Sequence, residues 1–435
     1  MSTPAEIKAK PTPNQMLPPY LPPPEVVPCG KCQVCRSPLP DATLDLGLQP
    51  LCDDLVPIGD SRVTVKYPIQ ISLCQRCLTA HQCYNIKKET LFPKEYHYRP
   101  RFTQDVLQGM KHLVEECAQE FGDLQGKLVC DIGCNDGSLL NFFREVGAKT
   151  CGIEPTGAGI EAAAAGHAVI NDYFTRESAE QLLTKNGRPE VITFTNVFAH
   201  IEDLTEAIAA LKILITDKTL IVIENHYLGT VLATNQFDTF YHEHPRTYSL
   251  KSFEFVAQSL GGEVLLTTFP KRYGGNIRVF IGGFNGSTKK ARSGIYLTTP
   301  GDESRYAEKL GQMQDFVIDW KTKATGQIAS LRQAGVKLYG KSFPGRASIL
   351  VALLGIDRED QPCVYEKPGS LKIGHYLPGT RIKILSDDRW ISNEDRPAAM
   401  LIWGWHIAPE IAGYMRGRGY KGRIFTPLPE FKELP

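Results

Sequence analysis

The stretch Lys127-Leu-Val-Cys-Asp-Ile-Gly-Cys-Asn-Asp-Gly137 decides the fold. Its apolar first half predicts a buried β-strand, and the turn that follows opens a helix at Ser138. Glycines at 133 and 137 let the backbone turn tightly and approach a ligand, because they carry no Cβ. The next apolar run contains the acidic Glu154. A strand, a glycine loop and a helix, followed by an acid on the next strand, predict an α/β domain that binds a nucleoside.

The loop has the pattern D-x-G-x-x-x-G, whereas dinucleotide sites show G-x-G-x-x-G, which brings the helix close to a pyrophosphate. S-adenosylmethionine (SAM) has no phosphate but does have a sulfonium and an ammonium, so an acidic loop suits SAM better than NAD. We therefore predict that Asp131, Gly133, Asn135 and Gly137 bind SAM. Glu154 would accept hydrogen bonds from two ribose hydroxyls.

Apolar runs alternate with amphipathic segments beyond this loop. The runs that read as buried strands are 127–133, 150–155, 191–197 and 219–227. This alternation predicts a parallel sheet with helices on both faces. Asn196 and His200 follow the third run, where such sheets place cofactor and substrate contacts, although a lone histidine there can equally be a satisfied loop residue. Two further runs, 263–269 and 276–282, predict an antiparallel pair at the sheet edge.

A length of 435 residues predicts two or three domains. Composition and pattern divide the chain into a proline-rich disordered arm (1–28), a small zinc-binding domain (29–88), a SAM-binding domain (89–302) and a C-terminal α/β domain (303–435). The last begins with a helix over about 303–334 and continues with a second series of apolar strands.

Composition also restricts the class of protein. There is no run of eighteen apolar residues, which excludes a membrane span, and no basic-then-apolar start, so we expect a cytoplasmic protein. The segment 321–435 holds 18 Lys+Arg against 11 Asp+Glu, a net of +7. Such a basic third can bind a nucleotide diphosphate or can be a solvated surface. It lacks the basic-aromatic clustering of nucleic-acid binders.

Cysteine spacing predicts a metal site. Seven of the twelve cysteines lie between Cys29 and Cys83, and two C-x-x-C knuckles are formed by Cys32, Cys35, Cys74 and Cys77. Four thiolates favour one tetrahedral zinc, which leaves no open coordination position and is therefore structural. Alternatives are a redox dithiol, inert core cysteines, or a ligand set that draws on Cys29, Cys52, His81 and Cys83.

The segment Phe237-Asp-Thr-Phe-Tyr-His-Glu-His-Pro245 follows the fourth apolar run. Tyr241, Glu243 and His244 lie there at the carboxyl end of a predicted strand, which favours a catalytic role over an exposed loop.

The order and spacing of these motifs resemble the nucleotide-sugar C-methyltransferases over nearly the whole chain beyond residue 28. The resemblance rests on the two C-x-x-C knuckles, Tyr96-His-Tyr98, the loop 131–137, Gly152-Ile-Glu-Pro155, Asn196-x-x-x-His200, Tyr241-x-Glu-His244, Gly274-Gly275, Tyr339-Gly340 and Pro378-Gly379. It implies an N-terminal zinc domain, a central class I SAM-dependent methyltransferase domain (Rossmann-like) and a C-terminal Rossmann-like α/β domain. A monomer or a homodimer is expected.

The resemblance also implies a substrate and roles. The substrate would be a nucleotide-linked 4-keto deoxysugar, methylated on a carbon beside the ketone. His244 would be the general base with Glu243 beside it, and Tyr241 and Tyr98 would contact the sugar. Histidine titrates near neutral pH, and a tyrosine hydroxyl can donate to an enolate oxygen.

Three cations of the terminal third are candidate diphosphate contacts: Lys341, Arg346 and Lys372. Cations near glycine-rich turns bind phosphate well, although each alone is an ordinary surface charge. The segment Lys341-Ser-Phe-Pro-Gly-Arg346 departs from the family's run of small residues, which leaves the nucleotide and the sugar open.

Two other functions fit parts of the pattern. One is O- or N-methylation of another small metabolite, which needs the SAM loop but no base that forms an enolate. The other is a non-catalytic protein that binds SAM or a nucleotide. The intact Tyr241, Glu243 and His244 argue against the second.

Overall fold

A computed structural model of the chain describes residues 26–287, 290–293, 301–392 and 396–435. Residues 1–25 of the predicted proline-rich arm lie outside the described residues. Within these ranges the helices are too short or too polar for any of them to cross a membrane.

The strands of the described residues are β1 (Val26–Pro28), β2 (Leu44–Pro50), β3 (Val56–Pro57), β4 (Lys66–Leu73), β5 (Ala80–Gln82), β6 (Tyr84–Ile86), β7 (Leu128–Ile132), β8 (Lys149–Ile153), β9 (Ala168–Ile170), β10 (Val191–Thr195), β11 (Leu220–His226), β12 (Arg246–Thr247), β13 (Glu263–Thr268), β14 (Asn276–Gly282), β15 (Leu338–Lys341), β16 (Cys363–Glu366), β17 (His375–Tyr376), β18 (Lys383–Ser386), β19 (Ala399–Ile402), β20 (Arg423–Thr426) and β21 (Lys432–Leu434).

The α-helices of the same ranges are α1 (Lys88–Leu91), α2 (Gln104–Phe121), α3 (Ser138–Glu145), α4 (Ala158–Ala164), α5 (Arg176–Asn186), α6 (Leu204–Leu214), α7 (Leu228–Ala233), α8 (Leu250–Ser259), α9 (Tyr306–Gln333), α10 (Ala347–Leu354), α11 (Asp388–Ile391) and α12 (Ala408–Gly417).

The central sheet confirms the predicted α/β fold. Its strand order is β13-β14-β11-β10-β7-β8-β9, in which the last five strands are parallel and β13 and β14 are the predicted antiparallel pair. The four predicted parallel strands correspond to β7, β8, β10 and β11. Strand β9 was not predicted, because its three residues are too few to show a period.

The C-terminal sheet is a second α/β layer with the order β21-β20-β19-β15-β16-β18-β17-β3. Its five central strands are parallel, and the predicted helix over 303–334 is α9, which begins after a 3₁₀ turn at Glu303–Arg305. Strand β3 comes from the cysteine-rich region and pairs with β17. The N-terminal and C-terminal parts therefore share one sheet.

The N-terminal sheet likewise takes a strand from the centre of the chain. Its order is β12-β5-β4-β2, and β12 directly follows the candidate catalytic segment 237–245. Arg246 of β12 is paired with His81 of β5. The candidate catalytic segment thus lies where the three sheets meet.

Replacement of Phe194 tests the packing against the central sheet. Its ring is fully buried between Phe174 and Phe198, with ring centroids 5.8 and 5.3 Å away. We expect Phe194→Ala to lower the free energy of unfolding by about 3–5 kcal/mol, because it leaves a cavity. Ile160→Ala, at a side chain that is 65% exposed, should change it by less than about 0.5 kcal/mol. Urea unfolding followed by circular dichroism measures both, and equal midpoints would contradict the prediction.

Candidate functional site

The predicted SAM loop joins β7 to α3 and requires both of its glycines. Gly133 and Gly137 have φ of +69° and +78°, a region that favours glycine. A Cβ on Gly133 would lie 2.6 Å from Cγ2 of Val197, and one on Gly137 would lie 2.9 Å from Cδ2 of His167. Both glycines are therefore required by the loop conformation and by the neighbouring side chains, and the predicted approach to a ligand stays a prediction.

Glu154 follows β8 and is fixed to this loop by its carboxylate. The backbone N–H of Asn135 donates to Oε2 at 3.0 Å, and the N–H and hydroxyl of Thr156 donate to Oε1 at 2.8 and 2.5 Å. The side-chain Oδ1 of Asn135 is buried and has no hydrogen-bond partner among the described residues. An unpaired buried acceptor beside a fixed carboxylate fits a ligand that carries hydroxyl and ammonium donors, as SAM does.

Asp131 lies under the loop and points toward the neighbouring strand. Its Oδ1 accepts a hydrogen bond of 2.6 Å from the hydroxyl of Thr193. Burial raises the pKa of Asp131 to about 7, the negative charge of Glu154 adds to the rise, and the bond from Thr193 opposes it. The Asp131 side chain therefore stabilises the start of the loop through its contact with Thr193.

Asn196 forms a turn at the end of β10 that rests on a buried charge network. Its φ is +54°, and its N–H donates to the carbonyl of Glu224 at 2.7 Å. The Glu224 carboxylate is fully buried and pairs with Arg272 at 2.9 Å and Arg278 at 2.6 Å. Sequence reasoning did not assign these charges a role. The sequence does contain a signal for them, because Glu224, Arg272 and Arg278 each interrupt or flank an otherwise apolar strand region.

His244 lies in a cluster of buried rings. Its Nδ1 lies 2.9 Å from the carbonyl oxygen of Thr239, which can only accept, so Nδ1 carries the proton and Nε2 carries the lone pair. Ring centroids of Tyr241, His200 and His226 lie 4.1, 4.8 and 5.2 Å away. Burial, reinforced by the neighbouring His200 and His226, holds the pKa of His244 well below its usual range. The ring is therefore neutral near pH 7.

His200 connects the end of β10 to the catalytic segment. Its Nδ1 donates to the carbonyl of Glu243 at 2.8 Å. Burial lowers the pKa of His200 to about 4. The ring lies against His244 and Phe92, so it lies nearer to the predicted base than the sequence indicated.

Glu243 is buried and accepts a hydrogen bond of 3.0 Å from the hydroxyl of Tyr96. Burial raises its pKa to about 8, helped by the charge of Asp53 and opposed by Tyr96 and Lys372. The partner of Glu243 is thus the first tyrosine of the Tyr-x-Tyr element. Tyr98 is 38% exposed, and its carbonyl accepts from Asn135 Nδ2 at 3.3 Å, so it lies beside the SAM loop.

Each of the three candidate diphosphate cations has a protein partner in the structure. Lys341 is buried, and its ammonium lies 2.9 Å from the carboxylate of Asp387. Arg346 is buried against Asp238, at 2.8 Å from Nε to Oδ2. Lys372 donates to the carbonyl of Phe343 at 2.7 Å. A protein carboxylate therefore already neutralises two of the three charges.

The four predicted zinc ligands come together. The sulfur atoms of Cys32, Cys35, Cys74 and Cys77 lie within 4.8 Å of one another, and the described residues contain no other group of this kind. The Cys32–Cys77 and Cys35–Cys74 sulfur distances are 3.4 Å, near the separation of about 3.8 Å that four Zn–S bonds of about 2.3 Å give. His81 Nε2 lies 3.2 Å from the sulfur of Cys32 and contacts the site from outside the four ligands.

Three family models match the chain in series. Residues 32–92 match a zinc binding domain, residues 100–267 a methyltransferase domain, and residues 271–429 a C-methyltransferase C-terminal domain. Among characterised proteins, the C-methyltransferase NovU of Streptomyces niveus is 28% identical over 416 residues, which cover 93% of this chain and 97% of that protein.

Solved structures of methyltransferases are more distant. The magnesium protoporphyrin IX methyltransferase of Synechocystis PCC 6803 with bound SAH is 16% identical, with a TM-score of 0.32 over 41% of this chain and 82% of that chain. A SAM-dependent methyltransferase from Archaeoglobus fulgidus is 19% identical, with a TM-score of 0.31 over 36% and 69%. Likenesses at these TM-scores carry no argument about this chain.

The chain is a SAM-dependent methyltransferase, as the glycine loop with Glu154 and the matched methyltransferase domain define it. A zinc binding domain precedes the methyltransferase domain, and a C-methyltransferase C-terminal domain follows it. The predicted cofactors, SAM and one zinc ion, agree with this assignment.

We expect one zinc ion per chain in the purified protein, because four thiolates converge within reach of one tetrahedral metal. Cys32→Ser should lower the zinc content and the melting temperature, whereas Cys29→Ser, outside the cluster, should change neither. Elemental analysis by plasma mass spectrometry measures the metal. Full zinc occupancy in Cys32→Ser, or none in the unaltered protein, would refute the site.

Glu243 should make stability fall as pH rises. Its folded pKa of about 8 lies above the unfolded value, so between about pH 4.5 and 8 the folded state binds more protons and loses relative stability with rising pH. Compared with Glu243→Gln, the unaltered protein should lose up to about 1.4 kcal/mol per pH unit in this window. Urea unfolding at pH 5, 6, 7 and 8 gives the difference. A difference independent of pH would show that Glu243 ionises normally.

Proposed function

We propose that this enzyme transfers the methyl group of SAM to the carbon beside the ketone of a nucleotide-linked keto-deoxysugar. The observation that carries the proposal is the neutral, buried imidazole of His244, fixed by the Thr239 carbonyl and surrounded by Tyr241 and two other histidines. O- or N-methylation would keep the SAM loop but would not require a base able to form an enolate. The C-methyltransferase domain at residues 271–429 supports the choice of carbon.

The residues of the SAM loop would hold the methyl donor. Gly133 and Gly137 let the backbone approach it, Glu154 would accept from its ribose hydroxyls, and the unpaired Oδ1 of Asn135 would accept from a further donor. SAM, when bound, supplies an electrophilic methyl group on a sulfonium.

His244 would remove the proton from the acceptor carbon. A C–H bond beside a ketone is acidified, but the carbon becomes a good nucleophile only when a base takes the proton as the bond forms. The lone pair on Nε2 can do this, because Nδ1 is held by Thr239 and the ring is neutral. A fixed tautomer removes the need for the ring to reorient during the reaction.

Tyr241 and Glu243 would act on the oxygen atoms of the sugar. Burial holds the pKa of Tyr241 well above its usual range, so its hydroxyl stays a donor and can stabilise the enolate oxygen, a contact worth about 2.7–4 kcal/mol in comparable sites. Glu243, with a pKa of about 8, is largely protonated at neutral pH and can donate to a sugar hydroxyl. Tyr98, beside the SAM loop, would contact the sugar from the cofactor side.

The nucleotide would bind on the C-terminal side. Of the three candidate cations, Lys372 is the one that makes only a backbone hydrogen bond in the contacts described above, and its charge acts on Glu243. A cation that acts on Glu243 supports a diphosphate beside the proposed sugar site. Lys341 would instead stabilise the C-terminal core through Asp387.

His244→Gln should lower turnover by about 10²–10⁴-fold, the range of a lost general base, and should leave SAM affinity unchanged. His242→Gln is the matched control, since His242 Nε2 donates to the carbonyl of Tyr67 and a glutamine amide can replace that bond. Turnover is measured by release of S-adenosylhomocysteine and SAM affinity by calorimetry. Undiminished turnover in His244→Gln would remove this residue from the mechanism.

The product distinguishes C-methylation from the other reactions. With ¹³C-methyl SAM and a nucleotide-linked 4-keto-deoxysugar, we expect a labelled methyl signal coupled to a ring carbon in the NMR spectrum. A methoxy or N-methyl signal would replace the proposal with O- or N-methylation. SAM binding without turnover on any keto-sugar would favour a non-catalytic role.

A further inference from the structure

Arg346 has one hydrogen-bonding group that the protein leaves unused. The residue is only 6% exposed, and its Nε and Nη2 donate to the two carboxylate oxygens of Asp238 at 2.8 and 2.5 Å. Nη2 also reaches the side chain of Gln236 at 3.3 Å. Nη1 is buried and has no hydrogen-bond partner anywhere in the described part of the chain. A buried N–H without a partner is costly, so an acceptor atom from a ligand is expected there.

The position of this guanidinium is fixed relative to the base. Asp238 directly precedes Thr239, whose carbonyl holds Nδ1 of His244 at 2.9 Å. The indole N–H of Trp405 donates to the same Asp238 carboxylate at 2.8 Å, and the Arg346 guanidinium lies 5.3 Å from the centre of that indole ring. Arg346 is therefore attached to the turn that orients the catalytic imidazole.

The charge of the pair indicates what kind of acceptor Nη1 can serve. The carboxylate of Asp238 is fully buried and neutralises the guanidinium. A neutral pair with one remaining donor is a poor site for a diphosphate, which carries several negative charges. It suits a neutral carbonyl oxygen on which negative charge develops during the reaction, because the donor is already oriented and needs no reorganisation.

We propose that Nη1 of Arg346 donates to the carbonyl oxygen of the acceptor and stabilises its enolate, beside the hydroxyl of Tyr241. This inference rests on the proposed function. In the step concerned, the C–H bond breaks and its proton goes to Nε2 of His244. The electron pair of that bond forms a C=C bond, and the carbonyl π pair moves onto the oxygen that Nη1 holds. Arg346 keeps its protons throughout and is a catalytic residue in addition to its contact with Asp238.

Arg346→Lys tests the proposal. A lysine ammonium can still pair with Asp238 but cannot also present a second donor in the direction of Nη1. The measurement is exchange of the α-proton in D₂O, followed by proton NMR with S-adenosylhomocysteine present. The probes are thymidine-, uridine- and guanosine-diphosphate-linked 4-keto-6-deoxyhexoses. We expect exchange and kcat to fall about a hundredfold or more, the KM of the acceptor to stay within about threefold, and SAM affinity to be unchanged.

Arg423→Lys is the matched control, because Arg423 also pairs with a carboxylate, Glu433, but on the exposed surface of the C-terminal sheet. It should exchange at the unaltered rate. If the Arg346→Lys variant no longer binds SAM or no longer shows a thermal unfolding transition, the same measurements are made on Arg346→Gln. The result for Arg346→Gln then decides between the outcomes.

Exchange in Arg346→Lys within threefold of the unaltered enzyme, or a loss confined to the KM of the acceptor, would overturn the inference and leave the proposed function standing. If the unaltered enzyme neither exchanges nor methylates any of the three probes, the proposed function fails and the inference fails with it.

Discussion

The buried carboxylate of Asp238 is the contact on which the position of the proposed base depends. It accepts from Arg346 through two nitrogens and from the indole of Trp405, both of which belong to the C-terminal sheet region. A carboxylate removed from water is costly unless several donors surround it, so this residue holds its turn in one place. The next carbonyl along the chain, that of Thr239, orients the imidazole of His244.

The other parts of the molecule meet the same turn from different sides. The side chain of Gln82 donates to the carbonyl of Phe240 at 2.9 Å, and its N–H donates to Pro245, so the N-terminal sheet spans the segment. From the central sheet, the ring of His200 donates to the carbonyl of Glu243. No single sheet positions the proposed base: the N-terminal and central parts bond to backbone carbonyls of the segment, and the C-terminal part bonds to the side chain of Asp238.

The sequence predicts the local features of this molecule well. The SAM loop is specified by glycines that need positive φ and by an acid on the next strand, and the zinc cluster is specified by spacing, so both can be recognised without knowing the tertiary contacts. Strands β9, β17 and β21 were missed because they have two or three residues and show no period. Strand β3, which pairs with β17 in the C-terminal sheet, lies hundreds of residues from β17 in the sequence.

Pairwise burial is what the sequence does not reveal. Lys341 and Arg346 were predicted as diphosphate contacts from their charge and the nearby turns, but each is buried against a carboxylate far along the chain. The resemblance assigns Tyr98 of the Tyr-x-Tyr element to the sugar, and the contact of the neighbouring Tyr96 with Glu243 was not predicted. The ion pairs of Glu224 with Arg272 and Arg278 were not predicted, because the sequence does not show which partner a charged residue on a strand has.

The pairing of β12 with β5 gives the metal centre an influence on a reaction in which it takes no part. His81 of β5 touches the sulfur of Cys32 and is also the register partner of Arg246, two residues beyond His244. One short strand therefore connects the thiolate cluster to the backbone beside the proposed base. Loss of the metal would be expected to disturb that backbone, although the thiolates themselves do not contact His244.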